Sequence, residues 1–136
     1  MKKTNIILVS IMIIIALLTA CGAQELPEGF SEEEVINQAE YVVSLLSAKD
    51  YEGVAALFAP VMAEGLDAEG LENAVGEQID KLGGFVRVSS SNIGGGNDKT
   101  IGDYGVVVLV CDYENGKATY TISIDSNNQV CGLYMK

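Results

Sequence analysis

The sequence predicts an α+β fold: three N-terminal helices packed on a four-stranded antiparallel sheet, behind an N-terminal signal. Apolar residues recur at helical spacing from Val35 to Leu82, then alternate in strand fashion from Phe85 to the C-terminus. The change of period falls on Gly83-Gly84, a pair suited to the C′ region of a helix. Turn residues, above all Asn115-Gly116, divide the second half into strand-length pieces. A run of helices followed by a run of strands is the order of an α+β layer.

Before the domain, Lys2 and Lys3 precede an apolar run from Ile6 to Leu18, interrupted only by Ser10. The run is thirteen residues long, the length of a secretory h-region, whereas a membrane span takes about 20 apolar residues. It closes on Leu18-Thr19-Ala20-Cys21, which resembles the lipobox of bacterial lipoproteins. The resemblance implies cleavage after residue 20, diacylglyceryl and palmitate groups on Cys21, and a chain anchored on the extracytoplasmic face of the cell membrane. Two acyl chains suffice for stable anchoring. Residues 21–29, rich in Gly, Pro and polar side chains, read as the lipidated cysteine and a tether. Residues 30–136 form the single domain.

The whole chain has 8 basic and 19 acidic residues, a net charge of −11. Without Lys2 and Lys3 it is −13, and residues 25–82 alone hold 14 acidic groups against two basic. Nucleic acid is excluded as a partner, because binding it takes a cationic surface. The chain has no His and no Trp, which removes Ser-His-Asp triads, Cys-His pairs and histidine metal sites. No motif calls for a cofactor or a metal.

Phe30-Ser31-Glu32-Glu33-Glu34-Val35 opens the first helix. Ser31 caps, Glu34 completes the capping box, Phe30 staples onto Val35, and Glu32 and Glu33 suit the positive end of the dipole. Val35, Ala39, Val42 and Leu46, flanked by Ile36 and Val43, form its buried stripe to about Ala48. Lys49-Asp50 turns the chain into a short helix from Tyr51 to Phe58, which Pro60 is expected to end. Val61 to Leu66 reads as an irregular link. Asp67 caps a third helix with Leu71, Val75, Ile79 and Leu82 on one face.

Phe85 to Ser91 is the first expected strand, and Asn92 to Asp98, with three consecutive glycines, the expected mobile hairpin loop. A phosphate-loop reading of that stretch fails, because Asp98 stands where the motif needs Gly. Residues 103–114, 117–125 and 129–135 are the remaining strands. Asn115-Gly116 predicts a type I′ turn, so Glu114 faces Lys117 and paired numbers sum to 231. One face then collects Val107, Leu109, Cys111, Tyr113, Tyr120, Ile122, Ile124, Val130 and Tyr134. The other carries Val108, Val110, Cys131, Leu133 and Met135 among Asp112, Thr119, Thr121 and Ser123, and suits a homodimer contact. Cys111 and Cys131 fall on opposite faces with a strand between them, which predicts two free thiols.

Ala48-Lys49-Asp50-Tyr51-Glu52-Gly53-Val54, Gly83-Gly84-Phe85, Cys111 through Lys117, and Val130-Cys131-Gly132-Leu133 resemble an uncharacterised bacterial domain. That domain occurs alone in lipoproteins or ahead of α/β-hydrolase domains. It is similar in plan to the curved, cone-like fold of nuclear transport factor 2 and ketosteroid isomerase. No hydrolase nucleophile elbow is present here. The cone plan implies a pocket between helices and sheet, with Tyr113, Tyr120 and Tyr134 around a small amphipathic ligand. The expectation is a non-catalytic ligand-binding or interaction accessory domain with a small-molecule or protein partner. The alternative is a small isomerase- or cyclase-type enzyme using a tyrosine with a carboxylate, Asp103 or Asp112.

Overall fold

The computed structural model describes residues 24–136; the expected signal segment and the expected lipid attachment at Cys21 lie outside the described residues. Four helices, α1 (Glu32–Ser47), α2 (Tyr51–Ala55), α3 (Pro60–Ala63) and α4 (Ala68–Leu82), precede four strands. These are β1 (Phe85–Asp98), β2 (Gly102–Tyr113), β3 (Gly116–Asp125) and β4 (Val130–Met135), an open antiparallel sheet in the order β1-β2-β3-β4. The fold class is the expected one, with one extra helical turn. Among the described residues, no helix is long and apolar enough to cross a membrane.

The helix starts follow their caps. Ser31 Oγ accepts the Glu34 N–H at 3.4 Å, and three glutamates occupy the first turn of α1. Val35, Ala39, Val42, Val43 and Leu46 of α1 are buried, as the stripe requires. Lys49 takes φ 60 and turns the chain, and Asp50 Oδ1 accepts the Gly53 N–H to start α2. Asp67 Oδ1 does the same for α4 through Gly70. Leu71 and Ile79 carry its buried face, and Gly83, at φ 75, stops it.

Pro60 does not end the second helix; it begins α3. The residues before it are drawn straight, because Ala59 N–H donates to Val130 O and Val130 N–H to Leu57 O, both at 2.8 Å. Phe58 thereby bridges to Val130 in parallel. Ala59 is extended, as a residue before proline prefers, and Pro60 takes the first helical position, where a missing N–H costs nothing. The expected irregular link thus contains a helical turn.

Three strand expectations are corrected. First, Asn92 to Asp98 is not a loop: β1 runs through the glycines, pairing Gly94 with Val106, Gly95 with Gly105 and Gly96 with Tyr104. The Tyr104 ring sits against Gly96, where it stands in for the missing side chain.

Second, the β2–β3 turn consists of Glu114 and Asn115. Tyr113 pairs with Gly116 and Asp112 with Lys117, so paired numbers sum to 229. Neither turn residue has positive φ, so the turn is not type I′. Docking decides this. Asn115 N–H donates to Leu82 O, Asn115 Nδ2 to Lys81 O and Glu114 N–H to Gly84 O, which satisfies carbonyls at and just beyond the end of α4. A shift of two residues preserves the facing of β2 and β3.

Third, a bulge in β4 reverses the facing of its second half. Ile124 pairs with Val130 and Ser123 with Gly132, leaving Cys131 as the extra residue. Leu133 and Met135 consequently turn inward against the core, and Tyr134 turns outward beside Thr121. Cys111 and Cys131 are both free and buried, with β3 between their strands.

Truncating fully buried Leu109 to Ala will lower unfolding stability by about 2–5 kcal/mol. Asn115→Ala, which removes only the side-chain bond to Lys81, will cost about 0.5–1 kcal/mol. Urea unfolding curves of the two variants check the ratio.

Candidate functional site

The inward rows of β2 and β3 set the site. Successive pairs are Leu109 with Tyr120, Cys111 with Ala118, and Tyr113 with Gly116. The middle pair is small, so Tyr113 and Tyr120 can lean toward each other over it. Their hydroxyls meet at 2.6 Å, and the Tyr113 hydroxyl also bonds Ser47 Oγ, in the last turn of α1, at 2.8 Å. The result is a chain of three hydroxyls joining helix to sheet. Phe85 closes its end, with its ring edge-on to Tyr113 at 5.5 Å between centroids.

The two tyrosines of this cluster are sealed. Tyr120 has 0 % of its surface exposed and Tyr113 has 5 %. A side chain with no water-accessible surface lines neither an open pocket nor a water-sized internal cavity. Tyr134 does not join it: the β4 bulge places it on the opposite face of the sheet, 62 % exposed. Of the three tyrosines expected around one ligand, the fold brings two together.

Burial, then the bond to Tyr113, holds the Tyr120 phenol far above its ordinary range. Burial likewise lifts Cys111 and Cys131 from 9.0 to about 11. All three groups are neutral at physiological pH, so none is a ready base or nucleophile.

The candidate carboxylates lie elsewhere. Asp112 points outward, accepting from Arg87 Nε at 2.8 Å with Lys117 Nζ at 3.3 Å, and the Arg87 bond holds its carboxyl below the usual range. Asp103 is exposed and accepts from Asn97 Nδ2. Neither reaches the tyrosines. Among the described residues, no group of three or more Cys, Asp or Glu is placed to hold a metal ion.

Hollows occur on the surface. One, of about 340 Å³, lies between α3 and the β1–β2 turn, lined by Pro60, Val61, Glu64, Thr100, Ile101 and Asp125. Another, of about 520 Å³, is polar and lies where Lys49 pairs with Asp80 beside Tyr51 and Gly76.

The family described as a protein of unknown function, DUF3887, matches residues 39–133. The chain belongs to this family. The DUF3887 chain is also similar to a solved structure, the NMR structure of a protein from Ruminococcus gnavus ATCC 29149. The two are 28 % identical with a TM-score of 0.71, over 82 % of this chain and 96 % of that one. No curated protein matches.

Sequence reasoning missed Ser47. Its signal was position: it lies four residues after Val43, where a polar residue extends the flank of an apolar stripe. Gly76 carries a similar signal, since a Cβ there would come within 3.4 Å of the Tyr51 hydroxyl, and the glycine lets α4 approach α2.

Tyr113→Phe strips both Ser47 and Tyr120 of a shared partner and will cost about 1–3 kcal/mol, more than Tyr120→Phe at about 0.5–1.5 kcal/mol. The thiols' folded pKa lies above the unfolded one, so the folded state holds their protons longer. Stability is therefore full below pH 9.0 and falls as pH rises toward about 11. The slope approaches about 1.4 kcal/mol per pH unit for each thiol. Tyr120 steepens the loss at still higher pH. Unfolding followed across this range checks the sign, and Cys111→Ala will flatten the curve.

Proposed function

We propose that the chain is a lipid-anchored accessory domain on the extracytoplasmic face of the membrane, acting by protein contact rather than by turnover or by enclosing a small ligand. The signal pattern ending at Cys21 supports the address. One structural observation supports the mode of action: the inward face of the sheet is solid around Tyr120, with its polar groups satisfied.

A ligand touching those phenols would have to displace packed side chains and break the Ser47–Tyr113–Tyr120 chain. Among the described residues, the opposite face has no second layer. Its central row runs Asn92, Val108, Thr121, Tyr134, with Val106 and Val110 half-buried on either side of Val108. Such a face, apolar at its centre and edged by Arg87, Asp112 and Lys117, has the composition of a contact surface. Self-association through it is the simplest form of the reading.

The test is native mass spectrometry and sedimentation of the soluble chain that begins after Cys21. The expected outcome is a dimer without retained small-molecule mass. Val108→Lys with Tyr134→Glu should render it monomeric at a stability cost of about 1 kcal/mol per site. A monomer that carries a small molecule through gentle ionisation would replace the reading with a ligand carrier.

A further inference from the structure

The residues between the expected lipid and the domain are not a free linker. Gln24 O accepts the Gly95 N–H at 3.2 Å, covering the outer edge of β1. Leu26 packs against the core near Val35, and a Cβ on Gly105 would come within 2.9 Å of its Cδ1. Pro27 lies directly over Gly95, whose added Cβ would collide with it and reach Glu25 O at 2.6 Å. On Gly94 a Cβ would meet Gln24 O at 2.9 Å. Gly94 and Gly95 of β1, with Gly105 opposite, are thus a seat shaped by the absence of side chains, and Gln24–Pro27 fills it.

From this we infer that Gln24–Pro27 is a rigid mount that holds the β1–β2 tip of the sheet against lipid headgroups. The inference rests on the lipidated Cys21 of the proposed function. Only Gly22 and Ala23 separate Cys21 from Gln24, and an extended chain spans at most ~3.6 Å per residue step, so over three steps the lipid-bearing residue lies within about 11 Å of the seat.

The far end of β1, at Phe85, is ten residues from Gly95, which is about 33 Å along the strand. The tip residues Lys99 to Ile101 therefore face the bilayer, and the Glu114–Asn115 turn projects into the aqueous space. Charge does not do the holding: the acidic half of the chain repels an anionic surface, and only Lys99 at the tip is basic. The short seated segment does.

The experiment uses the full chain, processed in a bacterial host and reconstituted in phosphatidylcholine vesicles with a headgroup-bound quencher. A fluorophore is placed at Lys99→Cys or at Glu114→Cys; Cys111 and Cys131 are buried. Quenching should be severalfold greater at position 99 than at 114. Gly95→Val unseats the segment from the sheet side, and Leu26→Gly with Pro27→Gly unseats it from the segment side while leaving the sheet intact. Both should abolish the contrast and expose residues 24–30 to protease. Equal quenching at the two positions in a chain whose mass shows the diacylglyceryl group, or a contrast that survives both variants, overturns the mount alone. Absence of the lipid from Cys21 overturns the anchoring reading and the mount with it.

Discussion

The rest of the structure depends on one buried interface: the apolar stripe of α1 laid across the inward rows of β2 and β3. Val35, Ala39, Val42, Val43 and Leu46 on one side and Val107, Leu109, Ile122 and Ile124 on the other are each at most 3 % exposed. Dispersion and hydrophobic burial between them hold a sheet that, among the described residues, has no second sheet to pack against. The Ser47–Tyr113–Tyr120 chain is polar material inside this interface, and it is stable there because each hydroxyl has a partner. The hydroxyls fix how far α1 and the sheet can slide past each other, and that role needs no ligand.

Around that interface, the remaining elements complete backbone bonding at exposed ends. The β2–β3 turn satisfies the end of α4, and the extended stretch before Pro60 pairs with the start of β4. Gln24 pairs with the edge of β1 at Gly95. Edge and end groups left open attract other chains. The family match begins at residue 39, so the seated segment and the first turns of α1 stand outside the stretch that defines the family.

Local chemistry in the sequence was sufficient for the caps at Ser31 and Asp67, for the α1 and α4 stripes, for the change of period at Gly83-Gly84 and for the facing of β2 and β3. Each depends on residues within a few positions of one another, where hydrogen-bond and packing preferences act directly. What only the tertiary structure decided has a common cause, a partner distant in sequence. Gly94 to Gly96 reads locally as a loop and becomes a strand because it pairs with Tyr104 to Val106 of β2, with Gln24–Pro27 against Gly94 and Gly95 and the Tyr104 ring against Gly96. Asn115-Gly116 favours one turn and adopts another because the end of α4 has carbonyls to satisfy. Tyr134 alternates into the core on paper and faces outward because a bulge at Cys131 flips everything after it. A period of two amplifies one extra residue into a change of face, and Gly132, an isolated glycine within the strand pattern, is the one local hint of it.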